Sequence, residues 1–205
     1  MLDYTLERNL IIGGSPIICG VDEAGRGPLC GPVVAAAVIL PCGLEIDGLN
    51  DSKKLTPKKR DKLFDLICEN AVAYSIAYGT VEQINETNIL EATLDAMHRA
   101  VDTLSLKPTH ALIDGNIARG FSVSATPVVH GDAISPSIAA ASILAKVTRD
   151  RLCIDLDAEY PMYGIAKHKG YGTKEHMDAL RKYGPTPIHR TKFIRFLNED
   201  KNEDC

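Results

Sequence analysis

Acidic side chains stand at the ends of three short runs in this chain. Asp22 and Glu23 follow Ile17-Ile18-Cys19-Gly20-Val21, Asp114 follows His110-Ala-Leu-Ile113, and Gly131-Asp132 follows the stretch 126–130. Carboxylates gathered at one end of a sheet repel one another unless a cation shares them. Four oxygen donors without a convincing histidine set favour a hard divalent ion, Mg²⁺ or Mn²⁺, over zinc. Gly25-Arg26-Gly27 follows the first pair at once. Its glycines allow close approach of a ligand backbone, and its guanidinium suits a phosphate beside a metal. This is the ligand chemistry of two-metal phosphoryl transfer. Side chains alternate across a strand, so Asp22 and Glu23 can serve one site only if the strand stops there and Glu23 swings back. The plainer alternative for each acid is a strand end in water, and for Arg26 a solvated turn.

The elements that would carry these residues follow from periodicity and punctuation. Residues 1–16 read as a loosely attached lead-in. Strands are expected over 17–23, 32–40, 71–79, 110–114 and 126–130, the first two close enough to pair as antiparallel neighbours. Thr56-Pro57 starts a helix as N-cap and first helical residue. Residues 81–106 are helical with a break near 85–88, and the Ile89, Leu90, Leu94, Met97, Val101, Leu104 stripe is core. A long helix spans 137–160, apolar nearly all round in its first half and therefore buried. A Gly/Tyr/Lys loop covers 161–172, Thr173 caps a helix to about Tyr183, and a final amphipathic piece carries Phe193, Ile194, Phe196 and Leu197. Alternating strands and helices give an α/β domain with a mixed sheet, residues 1–160, and a C-terminal helical extension, 161–205.

Composition narrows the function classes. The 205 residues are 45% hydrophobic and 24% charged, ordinary for one globular domain with a small appendage. With no Trp, a broad aromatic platform for base stacking is not expected. Cys19, Cys30, Cys42, Cys68, Cys153 and Cys205 form no C-x-x-C pair and read as reduced thiols. The net charge of −4 hides an asymmetry. Residues 161–195 hold Lys167, Lys169, Lys174, Arg181, Lys182, Arg190, Lys192 and Arg195 against Glu175 and Asp178, and 51–62 are also basic through Lys53, Lys54, Lys58, Lys59, Arg60 and Lys62. Such a split suits a polyanion gripped by basic segments while its reacting phosphate meets an acidic, metal-loaded centre; solvated helix faces are the alternative. Neither a signal segment nor a membrane span is read, so a cytoplasmic protein is expected.

Six stretches, taken together, resemble ribonuclease HII, the type 2 ribonuclease H of bacteria. They are Gly20-Val-Asp-Glu-Ala-Gly-Arg-Gly-Pro28, Asp51-Ser-Lys-Lys-Leu55, Ile113-Asp-Gly115, Gly131-Asp132, the run from Ile138 to Asp150, and His168-Lys-Gly-Tyr-Gly-Thr173. The resemblance runs over roughly residues 17–190. It implies an RNase H-like five-stranded mixed sheet flanked by helices, with the extension binding substrate. It also implies endonucleolytic cutting of RNA in RNA–DNA hybrids and 5′ of single ribonucleotides in duplex DNA, with 3′-hydroxyl and 5′-phosphate products.

By position, the resemblance makes Asp22, Glu23, Asp114 and Asp132 the metal-binding catalytic acids. It makes Gly25-Arg26-Gly27 the loop that senses the ribose 2′-hydroxyl, and Tyr171 the ring that stacks on the neighbouring sugar. Lys53 is expected at a phosphate. A monomer is expected, with Mn²⁺ or Mg²⁺ as cofactor. Tyr171 packed on a helix is the alternative for that residue, and for His168 a backbone-bonded histidine is favoured over a proton shuttle. Lys146 could reach the site or a structural acid, and Asp150, Asp155 and Asp157 are read as solvated or paired with Arg149 and Arg151. Rival functions are another RNase H-like nuclease, ribonuclease HIII or a resolvase, and a non-catalytic nucleic-acid-binding module. Ribonuclease HIII would bring a long N-terminal substrate-binding domain, for which about sixteen residues before the first strand leave no room; the non-catalytic module would hold its acids at pure cost against a polyanion.

Overall fold

The computed structural model describes residues 2–49 and 55–197. Lys53 and the Asp51–Lys54 stretch lie outside the described residues.

Five strands form one sheet in the order β3-β2-β1-β4-β5: β1 Ile18–Ala24, β2 Val33–Ile39, β3 Ala73–Gly79, β4 His110–Asp114 and β5 Ser124–Val128. β1, β2 and β3 pair antiparallel, whereas β4 and β5 add parallel to β1, so the sheet is mixed. The central strands are buried on both faces, and β2 reads Val-Val-Ala-Ala-Ala-Val-Ile without a polar residue. On one face Cys19, Val21, Ala35, Ala37 and Ile113 meet Ala96, Met97 and Val101 of α4 (Ile89–Asp102). On the other, Ala36 and Val38 meet Ala140, Ala141 and Leu144 of α5 (Pro136–Glu159) and Leu63 and Ile67 of α2 (Pro57–Asn70).

The helix starts follow local chemistry. Thr56 accepts the Lys59 N–H, with Pro57 in the first turn. Thr80 and Gln83 form a capping box on α3 (Val81–Glu86), and Asn88 caps α4, which is where the expected break falls. Ser135 caps α5. α5 crosses β1 so closely that a Cβ on Gly20 would lie 2.1 Å from the Ser137 carbonyl carbon. That approach brings the N-terminal end of α5 against the strand tip that carries Asp22.

Three expectations need correction. The lead-in is not loose: α1 (Thr5–Ile12) is held by buried Tyr4, whose hydroxyl donates to the Leu44 carbonyl, and by buried Glu7. β5 lies two residues earlier than periodicity placed it, because pairing with β4 sets His110 opposite Ser124; its Pro127 is tolerated at the sheet edge. The expected loop over 161–172 contains a 3₁₀ turn, Pro161–Tyr163, and a short helix, α6 (Ile165–His168); α7 (Lys174–Tyr183) then starts on the Thr173 cap as the sequence implies.

The C-terminal extension has its own small core of Tyr163, Ile165, Leu180 and Ile194, completed by Cys30 from the β1–β2 loop and Cys153 from α5. Cys19, Cys30, Cys42, Cys68 and Cys153 are all free thiols. Among the described residues no helix is long and apolar enough to cross a membrane.

Candidate active site

The register of β1 and β4 pairs Val21 with Ile113, so Asp22 stands level with Asp114 on adjacent parallel strands. Level residues on neighbouring strands share a face, here the face covered by α5. Asp22 is buried, and its Oδ1 accepts the Glu23 N–H at 2.7 Å. Burial pushes its carboxyl well above the usual carboxylate range; Glu23 and then Asp114 push it further, opposed by a hydrogen bond from Ser142. Asp114 Oδ1 accepts the Gly131 N–H at 2.7 Å and the Asp132 N–H at 3.4 Å. One carboxylate oxygen thus fixes the turn that carries the next acid. Asp132 is buried on a 3₁₀ turn, Gly131–Ala133, four residues past the end of β5 rather than at a strand end as expected.

Glu23 does not swing back. β1 continues through Ala24, and Glu23 alternates to the α4 face, where its Oε1 lies 3.5 Å from Arg26 Nη1. The two faces meet where the strands end: a shallow hollow at the C-terminal ends of β1 and β4 is lined by Glu23, Arg26, Asp114, Asn116, Thr93 and Met97. Among the described residues no three of the four acids have oxygens all within 4.8 Å of one another. The donor set itself, oxygens only with mutual repulsion at a buried Asp22, is one that a hard cation relieves. Asp22, Glu23, Asp114 and Asp132 are the residues that would hold it.

The Gly25-Arg26-Gly27 turn is exposed at Arg26 and Gly27. Gly25 adopts φ 101°, a region that favours glycine, and a Cβ there would lie 2.0 Å from Arg149 Nε. Glycine at 25 is therefore required from inside the protein, by a buried arginine beneath the turn. Tyr171 lies beside the same turn, its ring 3.4 Å from where a Gly27 Cβ would be, and it is 49% exposed. An acid cluster, a cationic glycine turn and a half-exposed ring thus share the end of the sheet where β1 and β4 finish.

A model of the family "Ribonuclease HII" matches residues 19–196. The chain belongs to the ribonuclease HII family. It is 58% identical over 177 residues to the ribonuclease HII of Burkholderia cenocepacia, covering 86% of this chain and 83% of that protein. Its fold superimposes on the ribonuclease H2 of Pyrococcus horikoshii with TM-score 0.75 at 28% identity, over 91% of this chain and 99% of that one. Bst-RNase HIII in complex with Mn²⁺ shares the fold alone, with TM-score 0.63 at 20% identity over 88% of this chain and 64% of that one. The protein is a ribonuclease H, a metal-dependent endonuclease, and the non-catalytic alternative falls.

The remaining residues of this ribonuclease HII chain sort as follows. Lys146 reaches a structural acid: its Nζ bonds Asp150 Oδ1 at 2.6 Å, and Asp150 Oδ2 lies 3.4 Å from Arg60. Asp150 is therefore not a partner of Arg149 or Arg151. Arg149 is buried and donates to the carbonyls of Cys30, Pro32 and Lys169, while Arg151 pairs with Asp61. Asp157 accepts the Ala166 N–H. His168 is backbone-bonded, its Nε2 donating to the Tyr163 carbonyl and its Nδ1 accepting the Gly170 N–H.

Sequence reading missed a buried histidine relay under Tyr171. Thr186 N–H donates to His189 Nδ1, which leaves His189 Nε2–H to donate to His176 Nε2 at 3.3 Å, and His176 Nδ1–H donates to the Tyr171 carbonyl at 3.0 Å. Cys30, His176 and His189 offer ligand atoms within 4.8 Å of one another. Yet both protons and both lone pairs of the two rings are already used, so the cluster is closed by its own hydrogen bonds. Burial lowers the pKa of both histidines, His189 to about 4. Residues 13 apart on a helix and a turn, with their Cys on the far side of the chain, carry no spacing signal.

Proposed function

We propose that the protein hydrolyses the RNA strand of RNA–DNA hybrids and cuts 5′ of single ribonucleotides in duplex DNA, acting as a monomer with Mg²⁺ or Mn²⁺. Water adds to phosphorus and the P–O3′ bond breaks, which leaves 3′-hydroxyl and 5′-phosphate ends. The observation that carries this reading is the meeting of the Gly25-Arg26-Gly27 turn with Tyr171 beside Asp22, Glu23 and Asp114.

Asp22, Glu23, Asp114 and Asp132 would hold the divalent ions, whose chemistry there would be activation of a water and stabilisation of the leaving oxygen. Arg26 meets the phosphate next to the cut. The backbone of Gly25–Gly27 bonds the 2′-hydroxyl, the group that separates RNA from DNA at such a site. Tyr171 stacks on the adjacent sugar, a contact that needs no particular base. Residues 161–197 form the basic side of the substrate groove against the domain of residues 1–160, and Lys53 adds a phosphate contact from the segment before α2. The test is to incubate a DNA duplex carrying one ribonucleotide, an RNA–DNA hybrid and an all-DNA duplex with each metal. Cleavage 5′ of the single ribonucleotide with a 5′-phosphate product supports the reading; cutting of the hybrid alone rejects its finer part.

A further inference from the structure

Arg190 is completely buried although it carries a guanidinium, and its hydrogen bonds run to one place. Nη2 donates to the Gly25 carbonyl at 2.7 Å, Nη1 to those of Arg26 at 2.9 Å and Pro28 at 2.8 Å, and Nε to that of Gly31 at 2.9 Å. All four acceptors belong to the β1–β2 loop, some 160 residues away in the chain. The backbone adds three further ties, Arg190 N–H to the Leu29 carbonyl, Leu29 N–H to the Gly170 carbonyl and Gly31 N–H to the Ile188 carbonyl, each 2.8 Å.

The consequence follows from peptide geometry. In a trans peptide the C=O and the next residue's N–H point in opposite directions, and no peptide here is cis. Drawing the carbonyls of Gly25 and Arg26 inward onto one guanidinium therefore turns the N–H groups of Arg26 and Gly27 outward. Both of these residues are exposed, on the side where Tyr171 stands. We infer that Arg190 is a positioning residue for substrate recognition: it fixes the peptide planes of the Gly25–Gly27 turn so that two backbone donors face the ribose 2′-hydroxyl. This rests on the proposed reading of that turn as the 2′-hydroxyl sensor. Lysine cannot substitute, because a single ammonium lacks the planar fork that spans four carbonyls. The aromatic ring of Phe193, 5.4 Å below the guanidinium carbon, closes the other side of the cage.

The experiment measures discrimination rather than activity alone. The KM for a duplex with one ribonucleotide is compared with the Ki of its all-DNA counterpart as competitor, for wild type, Arg190→Lys and Arg190→Gln. Ile194→Ala serves as comparator: it opens a cavity in the same small core without touching the turn, so it lowers stability and leaves the ratio unchanged. Both Arg190 variants are expected to lower the Ki/KM ratio by about tenfold, the worth of one to two hydrogen bonds, with the all-DNA Ki and the Mn²⁺ titration unchanged. A large wild-type ratio retained in both variants would overturn the inference alone. A wild-type ratio near one would overturn the sensor reading and the inference with it. If neither Arg190 variant unfolds cooperatively, Arg190 belongs to the general core and the positioning role is rejected.

Discussion

At the scale of single residues, the site is a balance between repulsion and the groups that hold repelling charges in place. Asp114 faces two ways: it raises the charge cost at Asp22 and anchors the Gly131–Asp132 turn through Oδ1. Asp114→Asn keeps an oxygen for that turn and removes the charge a metal must meet. Turnover should fall by orders of magnitude, while the melting temperature in chelator holds or rises as repulsion is relieved. Thermal scans with and without Mn²⁺, beside a cleavage assay, check both halves; near-normal turnover would remove Asp114 from the site. Tyr171 makes a different claim. Tyr171→Ala should lower kcat/KM on a single embedded ribonucleotide by on the order of 1–3 kcal/mol in transition-state stabilisation, the usual worth of a stacking contact. The loss on a long RNA tract should be smaller, because other phosphate contacts compensate. Equal losses on both substrates would reduce the ring to a support for its loop.

At the scale of elements, α5 organises both the core and the site. Its N-terminal turn is held by Glu7 of α1, whose Oε1 accepts the Ser135 hydroxyl at 2.6 Å and the Ser137 N–H at 3.4 Å, an anion placed at a positive helix end. Glu7→Ala should cost about 1–3 kcal/mol of stability, as expected when buried donors lose a charged acceptor, read as a lower urea midpoint; an unchanged midpoint would show that α1 is dispensable. Sequence patterns did not reveal this contact. Leu6 and Leu10 touch the core only at its edge, and one buried carboxylate leaves no period. What was legible had a local cause: the caps at Thr56 and Thr173, the break before α4, the all-apolar β2, and acids that end apolar runs. What was not legible depended on partners distant in the chain. Arg190 read as one of the basic groups of the C-terminal segment and Arg149 as a partner of the acids on its own helix, yet both are buried; Glu23 was to join Asp22 by swinging back where the strand stopped, but β1 runs on and Glu23 stays on the other face beside Arg26.

At the scale of the whole molecule, the histidine relay ties stability to pH. His189 is held near 4 in the folded protein, below its ordinary 6.5. Between those values the unfolded chain binds the proton first, so this contribution is complete above about pH 6.5 and is lost as pH falls through about 4. The carboxylate of Asp22, shifted upward, acts in the opposite sense. Comparing wild type with His189→Gln cancels that acid term. The difference in melting temperature between the two should shrink by several degrees from neutral to about pH 4, and a constant difference across that range would contradict the buried neutral relay.

The ties between the β1–β2 loop and residues 170, 188 and 190 also set an order of events in time. On the ribosome, the turn at Gly25–Gly27 is made early, and the arginine that shapes it comes some 160 residues later. Contacts of such long separation form late, because the loop they close must first be paid for in chain entropy. Domains also fold in the direction of synthesis. A nascent chain can therefore assemble its sheet and its acid cluster while the turn beside them is still unshaped. On the reading of the turn proposed above, selectivity for ribonucleotides is acquired only when the last segment docks, so a chain released early would carry the acids of a nuclease without the part that chooses its substrate.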